Sequence, residues 1–230
     1  MRAVASQRRV VESLAAAVKE FVMSFYQEHV VPHLVNLAMR NRELDPYRER
    51  VLAGAEGRVL EIGIGAGANL KFYPQGVKEI VALEPSAKLI SMARRAAGES
   101  SQRIAALNFL EASAEAIPLE PGAVDTVAMT WTLCSIGDAP RALREMRRVL
   151  KPGGQLLFVE HGLSPDASVK KWQDRLTPIW KRIAGGCHLN RPISGLLEQA
   201  GFHITHLTTG YMKHGPKPMT FLYEGIASPD

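Results

Sequence analysis

The sequence is short of several things. Its 230 residues include only two cysteines, Cys134 and Cys187, 53 residues apart. That is too few for a disulfide framework and lacks the paired spacing of a zinc site. A reducing, cytoplasmic setting without a bound metal is therefore expected. Long hydrophobic runs are missing as well. Stretches such as Leu14–Val18 fall far below the roughly 18–20 residues of a membrane-spanning helix. At the start, Arg2, Arg8 and Arg9 carry charge, but Glu12 interrupts before a signal-peptide core can develop. Secretion is not expected. Charge of one sign is scarce too, with 28 Lys+Arg against 23 Asp+Glu. The later basic doublets, Arg94-Arg95, Arg147-Arg148 and Lys170-Lys171, are scattered, which argues for solvated surface and against a nucleic-acid partner. What remains, 46% hydrophobic and 22% charged residues, is an ordinary globular composition, long enough to bury one core without staples.

Helical periodicity opens the chain. Val11, Leu14, Val18, Phe21, Val22 and Phe25 recur at intervals of three and four, which predicts an amphipathic helix over 10–25. It continues less regularly over 26–39 with a kink near Pro32, and a short helix follows over 46–53. This region reads as packing, as a cover over a ligand, or as an anchor on a membrane surface. After Gly54 short β-rich runs alternate with helical stretches, the mark of a parallel sheet covered on both faces. Strands are expected at 58–62, 79–83, 106–111, 124–129 and 155–160, and helices at 70–73, 87–97 and 140–150. Lys151-Pro152-Gly153-Gly154 should end the last of these. Helices over 167–184 and 191–200, strands over 203–209 and 220–226, and a loop over 210–218 complete the prediction.

Chemistry concentrates where the first strand meets glycine. In Val59-Leu60-Glu61-Ile62-Gly63-Ile64-Gly65-Ala66-Gly67-Ala68-Asn69 a buried-type strand runs into a turn that lets a ligand approach the backbone. Gly63, Gly65 and Ala68 also satisfy the dinucleotide pattern G-x-G-x-x-G/A, so two cofactor classes remain open here. Glu61, expected at the strand's end, would repel a pyrophosphate and favour the ammonium and sulfonium of S-adenosylmethionine. Glu84 closes the next strand at the spacing where a carboxylate accepts both hydroxyls of a ribose. A third polar turn, Ser113-Ala114-Glu115, could hold the edge of an adenine.

Together with Val124-Asp125-Thr126-Val127 and Leu150-Lys151-Pro152-Gly153-Gly154, these motifs resemble class I S-adenosylmethionine-dependent methyltransferases, in the branch related to ubiquinone-biosynthesis and type 11 enzymes. The resemblance covers roughly 47–226. It implies an α/β, Rossmann-like fold with a seven-stranded, mostly parallel sheet, an antiparallel last strand and helices on both faces. A methyltransferase domain over 46–230 would follow an N-terminal helical extension or cap over 1–45. The resemblance places Glu61, Gly63, Gly65, Gly67 and Asn69 at the methionine end, Glu84 on the ribose, and Pro85, Ser113, Ala114 and Glu115 around the adenine. Thr130 and Thr132, in the Thr130–Cys134 segment, would lie beside the transferable methyl. S-adenosylhomocysteine would be the product.

Downstream, Phe158-Val159-Glu160-His161-Gly162, Trp172-Gln173 with Pro178 and Trp180, and Gly186-Cys187-His188-Leu189-Asn190-Arg191 are similar to methyltransferase-like alkyl thiol S-methyltransferases. That resemblance implies a small, lipophilic thiol acceptor. His161, Cys187, His188 and Arg191 are the candidate catalytic residues, because a neighbouring His or Arg raises the thiolate fraction of an acceptor. Trp131, Trp172, Trp180, Leu133 and the N-terminal helix are candidate walls of its pocket. A quinone precursor, a phospholipid or another metabolite methylated at C, O or N remains the alternative, and an NAD-dependent oxidoreductase or a non-catalytic binding module the lesser ones. His29 and His33 have a metal-ligand spacing, yet Pro32 lies between them and no third ligand is evident. No membrane span is expected, and peripheral contact through the N-terminal helix is left open.

Overall fold

The computed structural model describes residues 18, 20–99 and 106–229. Seven strands form one sheet in the order β3-β2-β1-β4-β5-β7-β6. They are β1 (Gly57–Ile62), β2 (Val77–Leu83), β3 (Leu107–Leu110), β4 (Val124–Thr130), β5 (Leu150–His161), β6 (Phe202–Tyr211) and β7 (Phe221–Pro229). The first five run parallel, and β7 is antiparallel to both of its neighbours. The order reverses beside β1, where an open parallel sheet offers a crevice at the carboxyl ends of its strands. The apolar runs Val59-Leu60 and Val127-Ala128-Met129 are buried, as expected for strands covered on both faces.

Two helical layers supply those covers. On one side α4 (Ala139–Val149) and α6 (Ile193–Gln199) pack Leu143, Met146 and Leu197 against Leu60, Met129 and Phe158. On the other, α2 (Asp45–Leu52) and the 3-10 turn Leu70–Phe72 join Val59, Ile80 and Leu157 in a second cluster. Ala93 of α3 (Ala87–Glu99) belongs to it. α5 (Ala167–Ile183) is fastened to the end of β5 by Gln173, which is fully buried. Its Oε1 accepts from the Ser164 N–H at 2.9 Å, and its Nε2 donates to the carbonyl of Gly162 at 2.9 Å.

Most expected elements appear within a few residues of their predicted bounds. The 10–17 portion of the first helix lies outside the described residues, while 20–25 are helical. A wide π-helical turn, Tyr26–Val30, then leads into α1 (Val31–Met39). Pro32 has no N–H to give to residue 28 and its ring crowds that carbonyl, so the turn before it widens. Two expectations need correction. Residues 151–154 do not form a simple turn between helix and strand: Val124 pairs with Leu150 and Thr126 with Gln155, so these residues bulge from a strand that begins at Leu150. The loop over 210–218 is shorter than expected, because β6 continues to Tyr211 and α7 (Lys217–Thr220) forms before β7. Among the described residues, no helix is long and apolar enough to cross a membrane.

Candidate active site

At the carboxyl ends of β1, β2, β4 and β5 lies a cavity of about 820 Å³, roofed by the π-helical turn and α1. That size suits a nucleoside cofactor together with a small second ligand. Its floor is the glycine turn after β1. Gly63 has φ +68°, and a Cβ there would stand 2.5 Å from Thr132 Cγ2, so only glycine lets the turn nest against β4. Gly65 has φ +54° with no protein atom closer than 4.0 Å to a would-be Cβ. The space it leaves belongs to the cavity. Gly67 does not reach the cavity, because its face meets Leu70 and Ala93 of the helical layer.

The acids differ in role. Glu84 lines the cavity, accepting N–H groups from Gly65 at 3.1 Å and Ser86 at 3.0 Å, and burial raises its pKa. Glu61 is not at the rim. Alternation along β1 turns it away from Leu60 and Ile62 toward the layer holding α2 and the 3-10 turn. There it is 1% exposed, accepting from Tyr73 Oη at 2.8 Å and Asn69 Nδ2 at 2.8 Å. Burial pushes its pKa up to about 7 despite those donors and nearby Arg48. Glu61 is linked to the cavity wall through Asn69, whose amide also donates to Thr130 Oγ1 at 3.0 Å. Asn69 and Thr130 both line the cavity, as do Thr132, Pro85, Ser113, Ala114 and Glu115. Glu115 bridges two loops by accepting from the Asp138 N–H at 2.7 Å.

Arg48 was not legible as a site residue, although it shares the apolar face of α2 with Val51 and Leu52. It lies over the Trp131 ring at 5.0 Å and donates to the Met39 carbonyl at 3.0 Å. Burial lowers its pKa, and its Nε has no hydrogen-bond partner. Asn69 Oδ1 is also buried without a partner. A buried donor and a buried acceptor, both on residues of the cavity wall, match the carboxylate and ammonium of an amino-acid moiety. Trp131 has φ +49°, a strained conformation for a bulky residue, and lines the cavity beside Arg48.

At the far end three side chains from distant segments meet. His161, at the end of β5, places Nε2 3.1 Å from Cys187 Sγ, and Cys134, after β4, completes a group whose ligand atoms all lie within 4.8 Å of one another. All three line the cavity. The hydrogen bond from Cys187, with help from His161, depresses the Cys134 pKa against its burial. Cys187 shifts the other way, through the same bond and burial. Burial, the largest single effect, would lower His161, but the Cys134 charge and hydrogen bond together with the Glu160 charge outweigh it and the net shift is upward. Behind them Glu160 is fully buried, accepting the N–H groups of Thr132 at 2.7 Å and Leu133 at 3.0 Å. Burial, then the Cys134 charge, push its pKa up to about 8.

His188 and Arg191, expected beside the acceptor, do not line the cavity. The His188 N–H donates to the Cys134 carbonyl at 2.8 Å, and Arg191 Nη2 donates to the Ile136 carbonyl. Both brace the backbone that carries Cys134. Of the expected walls, Trp131 and Trp180 line the cavity; Trp172 is largely exposed and Leu133 is in the core. His29 is exposed and placed against the Phe25 carbonyl at 3.2 Å.

The sequence matches a family described as a methyltransferase domain over residues 60–158. It is 36% identical to human thiol S-methyltransferase TMT1B over 178 residues, covering 76% of this chain and 70% of that one. Human thiol S-methyltransferase TMT1A is 33% identical over 189 residues, covering 80% of this chain and 76% of the relative. In shape the chain is similar to YcgJ from Bacillus subtilis, with a TM-score of 0.61 at 15% identity, covering 83% of this chain and 100% of that one. A SAM-dependent methyltransferase from Methanosarcina mazei gives a TM-score of 0.62 at 21% identity, covering 75% and 92%. At those identities the likeness in shape speaks to the fold alone.

Proposed function

Because this chain belongs to the S-adenosylmethionine-dependent methyltransferases, sharing a third or more of its aligned residues with thiol S-methyltransferases, we propose that it methylates a small, apolar thiol. The observation that carries this reading is a single cavity with two unlike ends. One end has a glycine turn, Glu84 and the unpartnered Arg48 and Asn69 atoms; the other has Cys134, His161 and Cys187, and Val31, Leu34, Val35 and Ile183 are apolar members of the same lining. The names of the two human relatives favour sulfur as the acceptor atom over the oxygen, nitrogen or carbon of a quinone precursor or lipid.

In this reading Glu84 takes the ribose hydroxyls, and Pro85, Ser113, Ala114 and Glu115 frame the adenine. Arg48 pairs with the carboxylate of the methionine end and Asn69 accepts from its ammonium, with Glu61 orienting Asn69. When bound, S-adenosylmethionine supplies an electrophilic methyl on a sulfonium. Residues of the chain align the acceptor in line with that methyl and exclude water, which is where most of the acceleration of such a displacement comes from. A thiolate meeting a sulfonium gives two neutral thioethers, so a cavity of low polarity favours the transition state over the separated ions.

The described part of the N-terminal extension (1–45) is read as a cover for the cavity and 46–230 as the catalytic domain. Phe21, Phe25, Leu37 and Trp172, all more than half exposed, support peripheral contact with a membrane surface from which a lipophilic thiol would enter. The free thiols of Cys134 and Cys187 suit the reducing cytoplasm. The test is methyl transfer from labelled donor to a panel of alkyl thiols, phenols, quinols and amines, read by mass spectrometry. A thioether product is expected; transfer to the other classes with none to thiols would overturn the proposal.

A further inference from the structure

The Cys134, His161 and Cys187 cluster has more order than an acceptor wall needs. We propose that these three side chains bind a soft divalent cation of the zinc type, with its fourth position open to the cavity for the acceptor's sulfur. This deepens the thiol reading and rests on it.

Geometry is the first ground. A tetrahedral zinc with sulfur ligands at about 2.3 Å and nitrogen at about 2.0–2.1 Å holds its ligand atoms about 3.5–3.8 Å apart. The three ligand atoms are already within 4.8 Å of one another, with Nε2 to Cys187 Sγ at 3.1 Å, so small side-chain movements suffice. Backbone bracing is the second. Gly186, at φ +85°, passes so close to the Ser135 carbonyl that a Cβ would stand 3.1 Å from it, and this approach brings Cys187 against Cys134. The His188 N–H and Arg191 hold the carbonyls of Cys134 and Ile136 from behind.

Ligand chemistry selects the ion. Two thiolates and an imidazole without a carboxylate reject magnesium and calcium and suit zinc. Three protein ligands with a fourth position facing a cavity is the arrangement of a catalytic rather than a structural zinc. The acceptor thiol binds the ion as thiolate and its proton leaves to solvent. The sulfur lone pair then attacks the donor methyl, a new S–CH3 bond forms, and the old C–S bond breaks with its electrons going to the donor sulfur. S-adenosylhomocysteine results, and the methylated acceptor, a neutral thioether and a poor ligand, leaves the ion.

The full chain, reduced and stripped of metal, is titrated with Co2+ and followed by the visible d–d bands of tetrahedral cobalt–thiolate coordination. One Co2+ per chain is expected. The bands should vanish in Cys134→Ser and Cys187→Ser and weaken in His161→Gln, with S-adenosylhomocysteine affinity within twofold of wild type as the control for folding. Adding an alkyl thiol without donor should shift the bands. Absence of tetrahedral bands in wild type, their persistence in both cysteine variants, or their indifference to thiol would overturn the proposal. The two readings fail separately. Thiol methylation by fully metal-free enzyme removes the ion and leaves the proposed function, whereas tetrahedral cobalt in a protein that methylates no thiol removes the function and leaves the ion without its fourth ligand.

Discussion

Replacing Glu61 with glutamine should change how stability depends on pH. The wild-type carboxyl is buried against Tyr73 and Asn69, with Arg48 and Glu84 as the charged groups facing it, and its pKa in the folded chain is about 7 against an ordinary 4.5. The native state thus holds this proton more tightly than the unfolded chain. Its contribution is fully present below pH 4.5 and is lost as pH rises to about 7. At about 1.4 kcal/mol for each tenfold difference in proton affinity, the loss is about 3 kcal/mol. The glutamine of the Glu61→Gln variant does not titrate, and its amide can serve the unpartnered Asn69 Oδ1 after that amide turns over. Urea unfolding of both proteins without donor, at pH 4.5, 6, 7 and 8, measures the difference directly. Subtraction cancels what Glu160 and the other shared groups contribute. Relative to the variant, wild type should lose about 3 kcal/mol across the range, a midpoint change of about 1 M urea. Parallel pH curves would refute the assignment of this titration to Glu61. A second readout follows: the affinity ratio of cationic donor to neutral S-adenosylhomocysteine should rise with pH through 7 in wild type and stay flat in the variant.

Three further outcomes are expected. Arg48→Gln should weaken S-adenosylhomocysteine about 10- to 100-fold through loss of a charge-assisted hydrogen bond, leaving methylthioadenosine, which has no amino-acid end, unchanged; calorimetry with both ligands reads the split. Gly65→Val should abolish donor binding with only about 1 kcal/mol of backbone strain, since its Cβ meets open cavity, whereas Gly63→Ala should destabilise the fold by about 1–3 kcal/mol by forcing Thr132 aside. Val35→Glu, on the apolar roof, should raise KM for an apolar thiol about tenfold while donor affinity stays constant, checked by steady-state kinetics and calorimetry.

Local sequence carried the sheet and the glycine turn, because alternation, breakers and positive-φ glycines are written in neighbouring residues. Thus β1, β2 and β4 and the turn at Gly63 and Gly65 appear where their residues imply. Side-chain direction was harder. Glu61 reads as a rim acid until the layer holding Tyr73 is known to cover its face. Arg48 carries only a weak mark, a cation in register with Val51 and Leu52. The meeting of Cys134, His161 and Cys187 has no local mark at all, since β4, β5 and the segment after α5 lie far apart in sequence and are brought together by the sheet, Gly186, His188 and Arg191. For the same reason His188 and Arg191, close in sequence to Cys187, were expected in the cavity, yet they brace its outer side.

Among the described residues, two bonds tie the π-helical turn of the roof to the end of α5. Tyr26 Oη donates to the Ile183 carbonyl at 2.8 Å and Gln27 Nε2 to the Arg182 carbonyl at 3.4 Å, both at the end of α5. These are neutral groups. A latch of that kind responds little to ionic strength, so salt should not loosen that edge of the roof, where the cavity lining includes apolar Leu34 and Ile183.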